Sequence, residues 1–222
     1  MAGNRDLPAA AEALDKLCRT YWYPLYAFVR RQGYTPEDAE DFTQQFFLRL
    51  LEKNTVAKAD RDRGKFRSFL LGAMKNFLIN EWKRLDRVKR GGDQKFISFD
   101  LHNTEARYAD EKIDESNPAD VYERQWADTL MAQVFAELRA EYARGDQSRV
   151  FAALQVFIWG DSDRPSYAMV GEQLKMTEGA VKVAVHRLRK RFREVLRAEV
   201  AHTVARPEDI EEELRHLIAA LH

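Results

Sequence analysis

The chain has one cysteine, Cys18, among 222 residues. No intramolecular disulfide can form, and a reducing cytoplasm is the expected compartment. The lone thiol reads as a small buried hydrophobe rather than a nucleophile, because no partner residue can be assigned to it. No apolar run approaches the roughly 20 residues of a membrane span, and the start MAGNRDLPAAAEALDKLC lacks the apolar stretch of a signal peptide. There is no internal repeat, no low-complexity tract and no convincing alternating strand. Enzyme signatures are missing as well. There is no glycine-rich phosphate loop and no Ser/His/Asp constellation, and His102, His186, His202, His216 and His222 lack metal-ligand spacing. These absences lead us to expect a non-enzymatic protein with no metal or other cofactor.

Net charge is absent too, with 36 basic and 36 acidic residues, but its distribution is uneven. From Arg61 to Gly92 there are ten Lys/Arg against three Asp/Glu. From Asp93 to Asp128 there are four against ten, and from Lys182 to Arg197 seven against one. Two basic blocks flanking an acidic one produce local fields that a neutral total hides. A hydrophobic content of 45% and a charged content of 32% fit a folded, soluble chain.

Helical periodicity dominates, so the expected class is all-α. A first helix is expected from about Ala9 to Gln32, with Tyr21, Leu25, Phe28 and Val29 inward. Gly33 ends it. Thr35-Pro36-Glu37-Asp38 then has the chemistry of a helix start: a capping hydroxyl, proline at the first position and acids in the first turn. That helix carries Phe42, Phe46, Phe47, Leu50 and Leu51. A polar loop leads to a helix over about Phe66 to Val88, with Phe69, Leu70, Ala73, Phe77, Ile79 and Trp82 supplying apolar faces. The acidic stretch that follows is weakly patterned and reads as a linker. Asn117-Pro118-Ala119-Asp120 opens a helix to about Tyr142, with Trp126, Leu130, Val134 and Leu138 in line. Further helices are expected over Arg149–Trp159, Tyr167–Leu174 and the segment after Thr177, and a last one begins near Pro207. The chain thus divides into an N-terminal helical domain (1–92), an acidic linker (93–116), a C-terminal helical domain (117–200) and a C-terminal helical extension (201–222).

The segment MTEGAVKVAVHRLRKRF, 176–192, has a buried stripe of Val181, Val185, Leu188 and Phe192. Its other face carries Lys182, Val183, His186, Arg187, Arg189, Lys190 and Arg193. A short helix, a turn and a capped basic helix form a helix-turn-helix pattern. Val183 within the polar face is odd against water but sensible against a thymine methyl. Arg189, Lys190, Arg193 and Arg197 suit phosphate contacts, and a solvated basic face is the bland alternative. Small residues Gly179, Ala180 and Ala184 permit close approach of a helix or of a phosphate backbone.

Ser166-Tyr167, Thr177-Glu178-Gly179-Ala180-Val181-Lys182 and Arg187-Leu188-Arg189 give the segment a wider meaning. The run resembles the region-four helix-turn-helix of bacterial RNA polymerase sigma factors of the sigma-70 family, especially the extracytoplasmic-function (ECF) group. In the N-terminal half, YTPEDAEDFTQQFFLRLLEK resembles region 2.2 through Asp41, Phe42, Gln44, Gln45 and Phe47, with Gln45 where glutamate is frequent. GKFRSFLLGAMKNFLINEWKRLDR resembles regions 2.3 and 2.4 through Phe66, Phe69, Lys75, Asn76 and Lys83-Arg84. For Phe66, Phe69 and Trp82 a place in the core is at least as good a reading as a stacking role. The extra stretch from Arg139 to Gln147 and the extension through His222 mark a divergent member.

The resemblance implies two helical domains, sigma region 2 and sigma region 4, and a transcription initiation factor that acts with core RNA polymerase on promoter DNA. Core binding, through the clamp helices of the large subunit and the flap, would involve Asp38, Asp41, Phe42, Gln44 and Gln45. Contacts to the minus-10 element would come from Lys65, Arg67, Lys75, Asn76, Lys83 and Arg84. Contacts to the minus-35 element would come from Thr177, Glu178, Lys182, Val183, His186, Arg187, Arg189 and Lys190. It leaves room for an anti-sigma factor as a further partner and implies no membrane partner. The acidic linker or the Glu211-Glu212-Glu213 helix could cover a basic face in the free protein. The runner-up is a stand-alone helix-turn-helix regulator acting as a dimer, which leaves the basic, aromatic N-terminal helix unexplained.

Overall fold

The computed structural model describes residues 7–52, 65–87, 105, 107–108, 117–159, 164–204 and 206–221, with side chains described from Asp15 and without those of 51–52 and 84–87. It is all-α, with no strand among the described residues. The helices are α1 (Leu7–Arg31), α2 (Pro36–Glu52), α3 (Phe66–Arg87), α4 (Pro118–Arg144), α5 (Ser148–Leu154), α6 (Tyr167–Leu174), α7 (Glu178–Ala201) and α8 (Ile210–Ala220). Short 3-10 turns follow α5 (Gln155–Phe157) and precede α8 (Pro207–Asp209). No helix among the described residues is long and apolar enough to cross a membrane.

The chain forms two compact units. One comprises residues 1–129 and 203–222, the other residues 130–202. This grouping differs from the stretches expected from sequence: the first part of α4 and the C-terminal helix α8 join the N-terminal helices.

In the first unit, Gly33 ends α1 with φ +89°, a backbone state open to glycine, and its N–H donates to the Arg30 carbonyl at 3.0 Å. Thr35 caps α2 as its composition predicts, its Oγ1 accepting from the Asp38 N–H at 3.2 Å. The inward residues of α1, Tyr21, Leu25, Phe28 and Val29, are all buried. Trp22 stacks on Phe47 of α2 with centroids 5.5 Å apart, and Phe42 and Phe46 meet Phe77 of α3 edge-on. Tyr122 and Trp126 of α4 are fully buried, as are Leu70 and Met74 of α3. Each such side chain contributes about 1.5–3 kcal/mol when removed from water. Part of the acidic stretch is ordered: Glu105, Arg107 and Tyr108 are helical. Glu105 takes Arg30 Nη2 at 2.8 Å and the Tyr26 hydroxyl, and Arg107 lies 3.6 Å from the Tyr23 ring centroid. Opposite charge docks this piece on α1, a partner that periodicity could not reveal.

In the second unit, Leu130, Val134 and Leu138 of α4 are buried, as are Phe151, Leu154, Val181, Val185, Leu188 and Phe192. The helix expected over Arg149–Trp159 is shorter. It ends at Leu154 and tightens into the 3-10 turn. The tightening places Phe157 in the core, stacked on Tyr167 at 4.9 Å, and leaves Val156 and Trp159 partly exposed.

Candidate functional site

The site of greatest sequence interest, α6 and α7, is built by two caps and one close approach. Ser166 and Thr177 both hold extended backbone, and their hydroxyls accept from the Met169 and Ala180 N–H groups at 3.2 Å. Between the helices, Lys175 adopts the left-handed state (φ +55°). The Met176 N–H then closes back on the Gly171 carbonyl at 2.8 Å, and the Lys175 N–H on the Glu172 carbonyl at 3.3 Å. The glycine that this packing demands is Gly171, where an added Cβ would sit 2.7 Å from the Met176 carbonyl oxygen. Gly179 meets no other helix closely and faces open space, which leaves only the expected approach of a phosphate backbone.

Burial of Val181, Val185, Leu188, Phe192, Val195, Leu196 and Val200 fixes the rotation of α7. The opposite face presents Lys182, Val183, His186, Arg187, Lys190 and Arg193, all exposed, with Val183 at 52%. Lys182 is tethered: its ammonium lies 2.7 Å from Glu178, which raises its pKa, and 5.8 Å over the Tyr167 ring. Arg189 departs from the expected pure phosphate contact. It is half-buried, and its Nε donates to the Phe157 carbonyl at 2.8 Å, so it ties α7 to the 3-10 turn. A groove of about 470 Å³ runs beside Val183 and Arg187, with Tyr142, Gln147 and Val150 on its other wall. The stretch read as an insertion, 139–147, thus flanks the basic face. The turn that places it has Asp146 at φ +53° and the Gln147 N–H bonded to the Tyr142 carbonyl at 2.8 Å.

In the first unit, α2 exposes Asp38, leaves Asp41, Gln44 and Gln45 half-buried, and buries Phe42. Phe42 packs edge-on against Tyr34 at 5.1 Å and Phe77 at 6.3 Å, so it serves the core and is withdrawn as a direct contact with a partner. Asp41 and Glu40 have raised pKa values, first because of burial and then because neighbouring carboxylates oppose a further negative charge.

On α3, Lys75, Asn76 and Lys83 are exposed, and Ile79 and Trp82 are exposed with them, Trp82 at 63%. Both had been expected on apolar faces. The helix carries apolar residues on two sides, so periodicity gave no single inward stripe, and Leu70, Leu71, Met74, Phe77 and Leu78 take the buried side. An indole in a basic, polar stripe is a residue the sequence reading undervalued. The Arg84 side chain lies outside the described residues. So does the polar loop before α3, residues 53–64.

Arg67 is the clearest departure. It is 4% exposed, bonded to Glu213 of α8, 2.6 Å through Nε from Glu123 of α4, and 4.6 Å over the Trp126 ring. A guanidinium so enclosed presents no face to a phosphate, and Arg67 is withdrawn from the DNA-contacting set of this conformation. Lys65 is paired too, 3.0 Å from Glu212 and 3.5 Å from Glu213.

No group of three His, Cys, Asp or Glu side chains among the described residues is placed to hold a metal ion. No curated protein and no solved structure matches the chain. Residues 17–88, the stretch that holds α2 and α3, match the family model described as Sigma-70 region 2.

Proposed function

We propose that the protein is an ECF-type sigma factor that binds core RNA polymerase, confers promoter recognition and helps to melt promoter DNA. The observation that carries this reading is the region 2 match over 17–88 together with the side chains that stretch exposes. On α2 the acidic and amide groups Asp38, Asp41, Gln44 and Gln45 form the face for the polymerase clamp helices. On α3 the exposed set Lys75, Asn76, Ile79, Trp82 and Lys83 offers cations for phosphates and an indole for an unstacked base. Promoter opening requires bases to leave the stack, at a cost of a few kcal/mol that such contacts offset.

In the other unit, α6, its turn and α7 act as a helix-turn-helix on the minus-35 element. Lys182, Val183, His186 and Arg187 read base edges, while Lys190 and Arg193 contact phosphates. Thr177 and Glu178 set the N-terminus of α7 and the position of Lys182. The protein itself performs no covalent chemistry in this reading; the polymerase does.

The test is run-off transcription with purified core polymerase and genomic fragments. Promoter-specific transcripts are expected, and Lys182→Ala/Arg187→Ala should abolish them while core association persists. Unchanged promoter selection by that variant refutes the minus-35 role. DNA binding with no core association replaces the reading by a stand-alone regulator.

A further inference from the structure

We propose that α8 is the protein's own occupant of an anion-binding notch at the start of α3, and that its carboxylates stand where nucleic-acid phosphates bind. The inference rests on the sigma-factor reading for the identity of the competing ligand. Its geometry lies wholly within the first unit.

The notch has two cations, Lys65 just before α3 and Arg67 in its first turn. Three carboxylates meet them. Glu213 bonds Arg67 and lies 3.5 Å from Lys65, Glu212 lies 3.0 Å from Lys65, and Glu123 lies 2.6 Å from Arg67 Nε. The hydrogen bond from Lys65 holds the Glu212 carboxyl below its ordinary range. Two positive groups that would attract phosphate are thereby neutralised.

The way α8 is seated suits exchange. Its buried face has Ile210 and Leu217 with a carboxylate, Glu213, between them, and Glu213 has no exposed surface. A hydrophobic side chain at such a position is commonly as stabilising as a buried ion pair or more so, because both charges must leave water. The glutamate therefore gives α8 no more hold than an apolar residue of similar volume would. It also makes its place acceptable to any ligand that brings the same charge. An isolated helix of 11 residues is marginal in water, so once displaced α8 has little structure to retain. A sequestered notch lowers apparent affinity by the fraction of molecules in which it is open.

The experiment measures binding of a labelled 20-nucleotide single-stranded DNA to the full-length protein by fluorescence anisotropy over a salt series. Glu212→Gln/Glu213→Gln should bind about tenfold tighter, and the slope of log affinity against log salt should steepen by about 1.4, as two added phosphate contacts require. Placing Lys65→Ala in that background should remove about half of the extra slope. Asp15→Asn/Glu37→Gln, at exposed positions on α1 and α2 that bond neither Lys65 nor Arg67, makes the same change in net charge and should leave the slope unaltered. An unchanged slope in a double variant with native near-ultraviolet circular dichroism overturns the proposal, as does an equal gain in the charge-matched control. Should the double variant fail to fold, Glu212→Gln alone, a surface change, must steepen the slope by about 0.7; no change there overturns the proposal equally. Run-off transcription by the wild-type protein separates the two readings. Transcription with no change in the DNA-binding slope removes only the role of α8. Failure of transcription and of core association removes the sigma reading, while the oligonucleotide result still decides the notch.

Discussion

Replacing Gly171 by alanine tests the central geometric claim, that one close approach fixes α7 relative to α6. The new Cβ would lie 2.7 Å from the Met176 carbonyl oxygen, and the Val181 methyl and the Glu178 nitrogen are at 3.6 and 3.7 Å. Ordinary contact is about 3.5 Å, so the carbonyl must retreat by roughly 0.8 Å. It cannot do so freely, because the Met176 N–H is bonded to Gly171 itself and Lys175 is held in the left-handed state. Overpacking of this kind costs about 1–3 kcal/mol, and weakening the closing hydrogen bond adds about 1 kcal/mol. Alanine returns about 1 kcal/mol through helix propensity. The net expectation is a loss of about 1–3 kcal/mol.

Gly179→Ala is the internal comparison, since nothing lies within 4 Å of its Cβ position. It should be neutral or stabilising by a few tenths of a kcal/mol, at the low end of the propensity range because it sits in the first turn. Hydrogen exchange of peptides spanning residues 167–201 reads the difference locally. Gly171→Ala should accelerate exchange in the buried half of α7 by about five- to 150-fold, and Gly179→Ala should not. Equal protection in the two variants would refute the claim that this contact sets the turn.

Three further outcomes follow from the structure taken together with the proposed function. Trp82→Ala should leave stability nearly unchanged because the indole is exposed. It should weaken binding of the melted promoter strand by about 1–3 kcal/mol, seen as about five- to 150-fold less open complex in permanganate footprinting. Asp41→Asn should raise Tm slightly at pH 7 and lower core-polymerase affinity, read by surface plasmon resonance. The folded pKa of Asp41 is raised, so its stabilising share is present at acid pH and is lost as pH rises through that value; the amide removes this loss. Glu141 behaves oppositely. Its bond to Arg191 lowers its pKa, so its share is present above the ordinary glutamate value of about 4.3 and fades as pH falls through the folded one. Arg191→Gln should flatten the acid limb of the denaturation curve, and an unchanged limb would exclude the pair as its source.

Much of the fold was legible because helical elements announce themselves locally. The capping chemistry at Thr35 and Thr177, the end at Gly33 and the stripe Val181, Val185, Leu188 and Phe192 all depend on residues within a turn or two of each other. Their structural positions agree with the sequence pattern. The exposed face of α7 followed from the same stripe, since burying one side of a helix dictates the other. On α3 the rule gave no unique answer, because apolar residues occupy two sides, and Ile79 and Trp82 turned out to face water. Conversely, Phe42 matched a partner-binding motif and yet packs inside, since a helix that docks must also hold itself in place.

Partners distant in the chain were not legible, and here they decide the chemistry. Arg67 and Glu213 are separated by 146 positions, and nothing in either neighbourhood specifies that they meet. Composition placed Arg67 in a basic block, and a basic block beside an aromatic helix reasonably suggested phosphate. Burial reverses that inference. A cation enclosed by two carboxylates and an indole is already neutralised, and removing Arg67 itself would leave the buried Glu213 with only Lys65, 3.5 Å away, at a cost of up to about 3–5 kcal/mol. The same logic sets the limit on α8. Lys65 and Glu212 form a rim pair worth at most about 1 kcal/mol, discounted for solvent exposure, whereas Arg67 and Glu213 are locked until the helix moves. Phosphate can therefore take Lys65 from α8 with little opposition, but it reaches Arg67 only by displacing Glu213. Affinity gained at Lys65 and affinity gained at Arg67 are thus separate steps, and the salt slopes of the single and double glutamine variants should differ by one contact.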